Sequence, residues 1–424
     1  MKEFDFSKRM SYMQKTADIV DTLFSSMNDP ECISFGGGAP AKEALPVDQV
    51  REIAEEVFTK DKRGIEALQY GSPMGAADLR ETIVSELLAP KGVRTAVENV
   101  LITAGGLESM NLLCQVFIDP GDIILVETPT FVHCVEIFEM FQAKCVPVKM
   151  DGDGLDIDDC EEKIKQYHPK MVYCIPTFQN PTGITLTTER RERLAALGDK
   201  YSVLILEDDP YRDIRFNGVD LPPIKSFDKT GHTVLANSFS KIFSPGSRLG
   251  YCVADVEIMK RLKAAKIATN SHTGMISEVL CAEFFKRGYY PAHHEMITSI
   301  YRERCATMMR CIDEYFPEGT KHTIPEGGLF TWVELPERIN TTEALPLCIE
   351  HKVAYVAGEG FFAGAPGMGK NCMRVSYGHR TRAHRDRMQE TRRYLQNSLM
   401  KPAGDPAEYE TQIMMSVVCL ILLI

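Results

Sequence analysis

Apolar and polar positions along the chain fall into two regimes. Between residues 99 and 254, short apolar runs at 100–103, 123–126, 172–175, 203–206, 234–237 and 250–254 are separated by stretches with helical spacing. Such short, continuous runs fit strands covered on both faces, and their alternation with helices fits a mainly parallel sheet between helical layers. A long helical region follows over 257–314, and beyond it 328–335 and 372–376 have strand character. The expected fold class is therefore α/β: a large domain over 48–290, a small α/β domain built from 1–47 and 291–400, and a tail over 401–424. No internal repeat or low-complexity linker precedes about residue 400.

Two of the runs end in residues with chemistry. The run 203–206 leads into Glu207-Asp208-Asp209-Pro210-Tyr211, and acids at the carboxyl end of a buried strand sit where open α/β sheets hold their ligands. The run 234–237 leads into Ser238-Phe239-Ser240-Lys241, with Arg248 a short way on. Partial desolvation and a neighbouring cation lower a lysine's pKa and make its amine able to condense with an aldehyde. Ser238, Ser240 and Arg248 are suited to a phosphate, the serines as short donors and the arginine as a planar charged fork.

An aldehyde with a phosphate handle is pyridoxal 5'-phosphate (PLP). Its ring accepts electrons only while the ring nitrogen stays protonated beside a carboxylate, so Asp208 is expected to face it. Tyr211, brought round the Pro210 turn, is expected to reach the phenolate oxygen. In Tyr173-Cys174-Ile175-Pro176-Thr177-Phe178-Gln179-Asn180-Pro181-Thr182-Gly183, a buried strand again ends in a turn, and Asn180 is the amide placed to reach that same oxygen. Alone, the lysine segment reads as a basic, serine-rich turn and the Asn180 segment as ordinary turn chemistry. Three such sites in this order point to a cofactor.

With these segments and with Gly36-Gly37-Gly38-Ala39-Pro40, Gln69-Tyr70-Gly71-Ser72-Pro73-Met74-Gly75, Thr103-Ala104-Gly105-Gly106, Glu127-Thr128-Pro129 and Arg374, the chain from about residue 7 to about 397 resembles the class I/II aminotransferases of PLP fold type I. Within them it is most similar to the aromatic and 2-aminoadipate (kynurenine-type) transaminases. The resemblance implies that Lys241 carries PLP and shuttles the Cα proton, that Phe131 stacks on the ring, and that Tyr70 crosses a dimer interface into the partner's site. It also implies that Gly106 and Leu107 bind phosphate through their main chain, in keeping with the free N–H groups of a helix start.

Arg374 lies inside the otherwise apolar strand 372–376. A buried arginine needs a partner; the resemblance supplies the substrate α-carboxylate, gripped as a bidentate pair, and the alternative is an internal salt bridge. Gly38 would let backbone approach the same carboxylate closely.

Composition narrows the function further. With 424 residues and 44% hydrophobic content the chain can bury a large core, and a net charge of -11 argues against a nucleic-acid partner. Thirteen cysteines without a CxxC pair, no signal peptide and no run of about 20 apolar residues point to free thiols, a cytoplasmic location and no membrane span.

Three segments imitate other sites. Gly364-Ala365-Pro366-Gly367-Met368-Gly369-Lys370-Asn371 has P-loop spacing but Asn where Ser or Thr should hold magnesium. Asp151-Gly152-Asp153-Gly154-Leu155-Asp156 starts like a calcium loop but has Asp156 where Gly is needed, so a solvated hairpin is expected. His293-His294-Glu295 lacks the second histidine of a zinc helix, and no metal site is assigned.

The function expected is a homodimeric PLP-dependent aminotransferase exchanging an amino group between an L-amino acid and a 2-oxo acid by a ping-pong mechanism. Gln14, at the position where relatives acting on acidic side chains carry arginine, favours neutral or aromatic donors, although Lys15 lies next to it. Two rivals are another PLP reaction on the same fold, such as a lyase or decarboxylase, and a non-catalytic effector-binding domain of a regulator. For the latter, the stretch before residue 36 leaves no room for a DNA-binding winged helix. The apolar segment 413–424 is expected to be dispensable for catalysis.

Overall fold

The computed structural model describes residues 4–7, 9–10, 32–59, 62–350 and 352–378. The strands in chain order are β1 (Ile33–Ser34), β2 (Val100–Thr103), β3 (Ile123–Thr128), β4 (Lys144–Asp151), β5 (Gly154–Leu155), β6 (Met171–Cys174), β7 (Leu204–Asp208), β8 (Thr233–Ser238) and β9 (Gly250–Val253). They continue with β10 (Lys321–His322), β11 (Phe330–Glu334), β12 (Val353–Ala354), β13 (Val356–Ala357) and β14 (Cys372–Ser376). Eight of them form one sheet in the order β2-β9-β8-β7-β6-β3-β4-β5. Pairing is parallel from β4 through β3, β6 and β7 to β8, whereas β9 runs antiparallel to both β8 and β2.

The antiparallel end follows from loop length. A parallel return needs a crossover of about a dozen residues or more, and the connection between Ser238 and Gly250, which face each other in the register, is shorter. That loop carries Lys241 and Arg248 and lies at the carboxyl end of β8, beside the carboxyl end of β7.

Both faces of the sheet are covered, as the unbroken apolar runs require. Met171, Tyr173, Leu204 and Leu206 belong to the larger core cluster, and Val172, Cys174 and Ile205 to the second. Side chains alternate along a strand, so Tyr173 of β6 and Asp208 at the end of β7 lie on the same face of the sheet. Glu207 goes to the other face and accepts from the N–H groups of Ile224 and Lys225, each at 2.8 Å.

Two expected features differ in detail. The strand β4 is absent from the six apolar runs because its short apolar stretch, Cys145-Val146-Pro147-Val148, contains a proline; it lies near the sheet edge, and only Val148 in it is buried. The helical region 257–314 is three helices, Val256–Asn270, Met275–Lys286 and Tyr290–Tyr315. They are separated at Ser271 and Gly288, whose φ angles of 66° and 72° end a right-handed helix.

A second, antiparallel sheet has the order β10-β11-β14-β13. Arg374 in its β14 sits between Trp332 of β11 and Val356 of β13. The short strand β1 pairs in parallel with β12, which places the Gly36–Gly38 segment that follows near this sheet. Among the described residues no helix is long and apolar enough to cross a membrane.

Candidate active site

One end of the site is built for an anion. The strand β2 turns at Gly105 into the helix Gly106–Phe117. Gly105 has φ 85°, and a Cβ there would lie 2.6 Å from Arg248 Nη2, so both its conformation and its surroundings require glycine. The carboxylate of Glu108 accepts from the Ala104 N–H at 2.5 Å and is held by Lys266 Nζ at 2.6 Å and Asn270 Nδ2 at 2.7 Å. The turn is thereby fixed, and the N–H groups of Gly106 and Leu107 at the helix start have no intrahelical acceptor.

Against this helix start stand Ser238 and Ser240, both buried, with Ser238 Oγ donating to Ser240 Oγ at 2.9 Å. Arg248 is exposed, has φ 49°, and donates to the Pro245 and Ala104 carbonyls at 3.2 and 3.5 Å. Leu107 is 37% exposed and brings no polar side chain.

Beyond the serines lies the lysine. Lys241 is half-buried, and its Nζ donates to the Gly38 carbonyl and lies 5.8 Å from the centre of the Tyr211 ring. Burial, followed by repulsion from Arg374 and Arg248, pushes its amine down to about 8 from the usual 10.5. Tyr211 is buried, stands edge-on to Phe330 at 5.7 Å and hydrogen-bonds with Asn180.

Asp208, 5% exposed, accepts from the Tyr173 hydroxyl at 2.9 Å on Oδ2, with Cys134 Sγ 4.0 Å from the same oxygen. Burial raises its carboxyl to about 7, opposed by the Tyr173 hydrogen bond and assisted by Asp209. Asp209 itself is buried against Arg212, whose Nη1 lies 2.8 Å from Oδ2. Of the two adjacent aspartates, Asp208 forms no ion pair among the described residues and lies on the face shared with Tyr173. Phe131, half-buried, opens the helix Val132–Met140 that carries Cys134.

The other end holds a second arginine. Arg374, 8% exposed, donates from Nη1 to Asn180 Oδ1 at 2.8 Å and from Nη2 to the Gly36 carbonyl. Its guanidinium lies over the Phe330 ring at 4.2 Å and near Phe361 at 5.3 Å. Its Nε has no partner, and among the described residues no carboxylate forms an ion pair with it. Burial pushes its pKa down to about 10. Gly38 closes this end: a Cβ there would meet Phe330 Cζ at 2.7 Å.

The structure thus brings Gly38, Gly106, Leu107, Phe131, Asn180, Asp208, Tyr211, Ser238, Ser240, Lys241, Arg248 and Arg374 to the strand ends on one side of the sheet. Tyr70 is apart from them. It is 86% exposed, edge-on to His272 at 5.8 Å, and lines a cavity of about 430 Å³ with Gln69, Ser72, Arg80 and Met275.

Residues passed over in the sequence complete the arrangement. Glu127, buried at the end of β3, accepts from Ile175 N at 3.0 Å and Gln179 Nε2 at 3.1 Å, and Gln179 Oε1 accepts from Thr182 N at 2.9 Å. These contacts shape the Asn180 turn. Tyr173 carried a signal, a hydroxyl within an apolar strand, whereas Cys134 and Phe330 carried none.

The imitators resolve structurally. Asp151 and Gly154 pair in the β4–β5 hairpin, with Arg190 Nη1 on Asp151 at 2.7 Å. Asn371 donates to the Leu335 carbonyl at 2.6 Å beside β14. Among the described residues no cluster of three His, Cys, Asp or Glu side chains could hold a metal. Gln14, Lys15 and the segment 413–424 lie outside the described residues.

A helix start, two serines and an arginine at one end, an uncompensated carboxyl in the middle and an acid-free arginine at the other match a phosphorylated pyridine beside an amino-acid carboxylate. Residues 30–391 match the family model for aminotransferases of class I and II, and the chain belongs to that family. It is a PLP-dependent aminotransferase of fold type I.

The chain is similar to aromatic-amino-acid aminotransferase 1 of Thermococcus litoralis, at 35% identity over 85% of this chain and 87% of that protein. It is similar also to the 2-aminoadipate transaminase of Thermus thermophilus, at 34% identity over 85% and 89%. Among solved structures, the kynurenine aminotransferase of Pyrococcus horikoshii superposes with a TM-score of 0.82 at 30% identity, covering 98% of this chain and 96% of that one.

Proposed function

We propose that this aminotransferase works as a cytoplasmic homodimer, moving the amino group of a neutral or aromatic L-amino acid to a 2-oxo acid by a ping-pong exchange at the site around Lys241. The observation that carries the reading is Arg374: a buried guanidinium with a free Nε and, among the described residues, no acid paired with it, within the same cluster as a lysine amine whose pKa is lowered to about 8. Such a charge has use for a carboxylate that arrives with the substrate.

PLP, when bound, supplies the electron sink for the pair left at Cα. Lys241, its pKa lowered to about 8 and its amine next to Gly38, removes and returns the Cα proton. Asp208 would hold positive charge at the ring nitrogen. Asn180 and Tyr211 would hold the phenolate oxygen, and Phe131 would cover the ring. Gly106, Leu107, Ser238, Ser240 and Arg248 would hold the phosphate. Arg374, with Asn180 and Gly38, orients the substrate carboxylate so that the Cα–H bond faces Lys241.

The exposure of Tyr70 beside a cavity supports a partner subunit covering it, with Tyr70 entering that subunit's site. A preference for aromatic side chains is supported by the names of the relatives and by the rings near Arg374, where Trp332 stands edge-on to Phe361 at 5.6 Å.

Purified protein is expected to be yellow, and Lys241→Ala to lose turnover while still binding PLP non-covalently. A colourless wild type whose spectrum PLP leaves unchanged would refute the reading of the site. A panel of phenylalanine, kynurenine, leucine, methionine and 2-aminoadipate with 2-oxoglutarate or pyruvate tests the specificity, and a clear preference for 2-aminoadipate would overturn it.

A further inference from the structure

Below the ring position, three elements meet at one carboxylate oxygen. The Tyr173 hydroxyl from β6 is 2.9 Å from Asp208 Oδ2, and Cys134 from the helix Val132–Met140 is 4.0 Å from it. Tyr173 is fully buried, and its ring stands edge-on to Phe138 of that same helix at 5.3 Å. A hydroxyl in an apolar strand is costly to bury unless its proton is used. Here the proton goes to Asp208 rather than to backbone, and it occupies Oδ2, leaving Oδ1 for a group in the site.

We propose that Tyr173 is a positioning residue for PLP: by donating to Oδ2 it fixes the rotation of the Asp208 carboxyl and keeps it ionised beneath the ring nitrogen. The inference rests on the proposed role of Asp208. It adds a residue that touches neither substrate nor cofactor yet sets how strongly the ring nitrogen is held protonated.

The charges around Asp208 show why a donor is needed. Asp209 and Glu127 are acids, Cys134 and Tyr211 are neutral groups whose ionised forms Asp208 disfavours, and no cationic side chain forms an ion pair with it among the described residues. Burial and Asp209 both favour the protonated carboxyl, and the Tyr173 hydrogen bond opposes them. Without that bond the carboxyl would protonate more readily and release the ring nitrogen's proton. A less positive ring withdraws less charge and leaves the nitrogen at the lysine end more basic.

The test is Tyr173→Phe, which removes one oxygen and keeps the contact with Phe138, read by two measurements that do not depend on turnover. The midpoint of the pH-dependent absorbance change of the bound cofactor is expected to rise by about half a unit, and PLP affinity of the cofactor-free protein to fall roughly 3- to 10-fold, the range of one ordinary net hydrogen bond, because the bond acts on the cofactor only through Asp208. Both changes should vanish when Tyr173→Phe is made in an Asp208→Asn background, since a residue acting through a carboxylate has no effect without it. A Tyr173→Phe protein with wild-type midpoint and affinity overturns the proposal, and so do equal changes in both backgrounds, which would mark a packing role. If Asp208→Asn alone leaves the spectrum and the affinity unmoved, the role of Asp208 itself fails, a separate result.

Discussion

The two ends of the site each contain an arginine, and the two are held in opposite ways. Arg248 is exposed, tied to two backbone carbonyls, and shares its anion site with two serines and a helix start. Arg374 is buried, lies on an aromatic ring, and donates to the Asn180 amide oxygen and the Gly36 carbonyl. A charge in a crowded, wet cradle is one donor of several, while a desolvated charge with no acid beside it carries recognition alone. The first end is expected to tolerate loss of its arginine better than the second.

The largest expected effect is at the dry end. Arg374→Ala should cost roughly 2 to 5 kcal/mol of substrate carboxylate binding, the usual penalty for stranding one member of a buried charge pair. It is read as a raised KM for amino acids, and an unchanged KM would place the carboxylate elsewhere. Next comes Gly105→Ala at the wet end. A Cβ 2.6 Å from Arg248 Nη2 at a φ of 85° strains the turn and displaces the arginine together, so PLP affinity should fall by more than it does in Arg248→Ala. For Arg248→Ala alone about 1 kcal/mol is expected, since screening weakens an exposed charge. Equilibrium dialysis of PLP against the two variants checks the order, and a larger loss in Arg248→Ala would break the contrast between the ends.

The smallest effect is a pH dependence between the ends. Without PLP, the Asp208 carboxyl has its pKa raised to about 7 from 3.8 by burial. The folded state therefore binds more protons than the unfolded state between those values, and this group's contribution falls as pH rises from about 4 to 7. A cationic ring relieves that loss once the carboxyl is ionised. The gain in Tm on adding PLP should thus be larger at pH 8 than at pH 6, and Asp208→Asn should flatten the difference.

What the sequence made readable divides along the same lines as the two arginines. Groups that announce themselves by type at a strand end, such as Lys241 after β8 or Asp208 closing β7, could be placed because an unbroken apolar run marks a buried strand. Arg374 was conspicuous for the opposite reason, a charge inside such a run. The parts that stayed hidden depend on contacts remote in sequence. Phe330 is one more apolar residue of β11 until it is found beneath Arg374 and against Gly38. Tyr173 offers a hydroxyl within an apolar strand, but its target shows only once the alternation of β6 and β7 puts it on the face of Asp208. The strand β4 escaped because its apolar stretch, Cys145-Val146-Pro147-Val148, holds a proline, which argues against a central strand, and has a lysine on either side.

The order in which the chain brings these groups together has a consequence during synthesis. All eight strands of the large sheet have been made by Val253, with Lys241, Asp208 and the phosphate cradle already among them, but Arg374 follows more than a hundred residues later. At a translation rate of about 5–20 residues per second, roughly 6 to 24 s separate the two. A nascent chain at that stage has the groups to hold cofactor and none of the charge that selects a substrate. Its partner Gly36, made before any strand of the large sheet, waits for β14 to reach it.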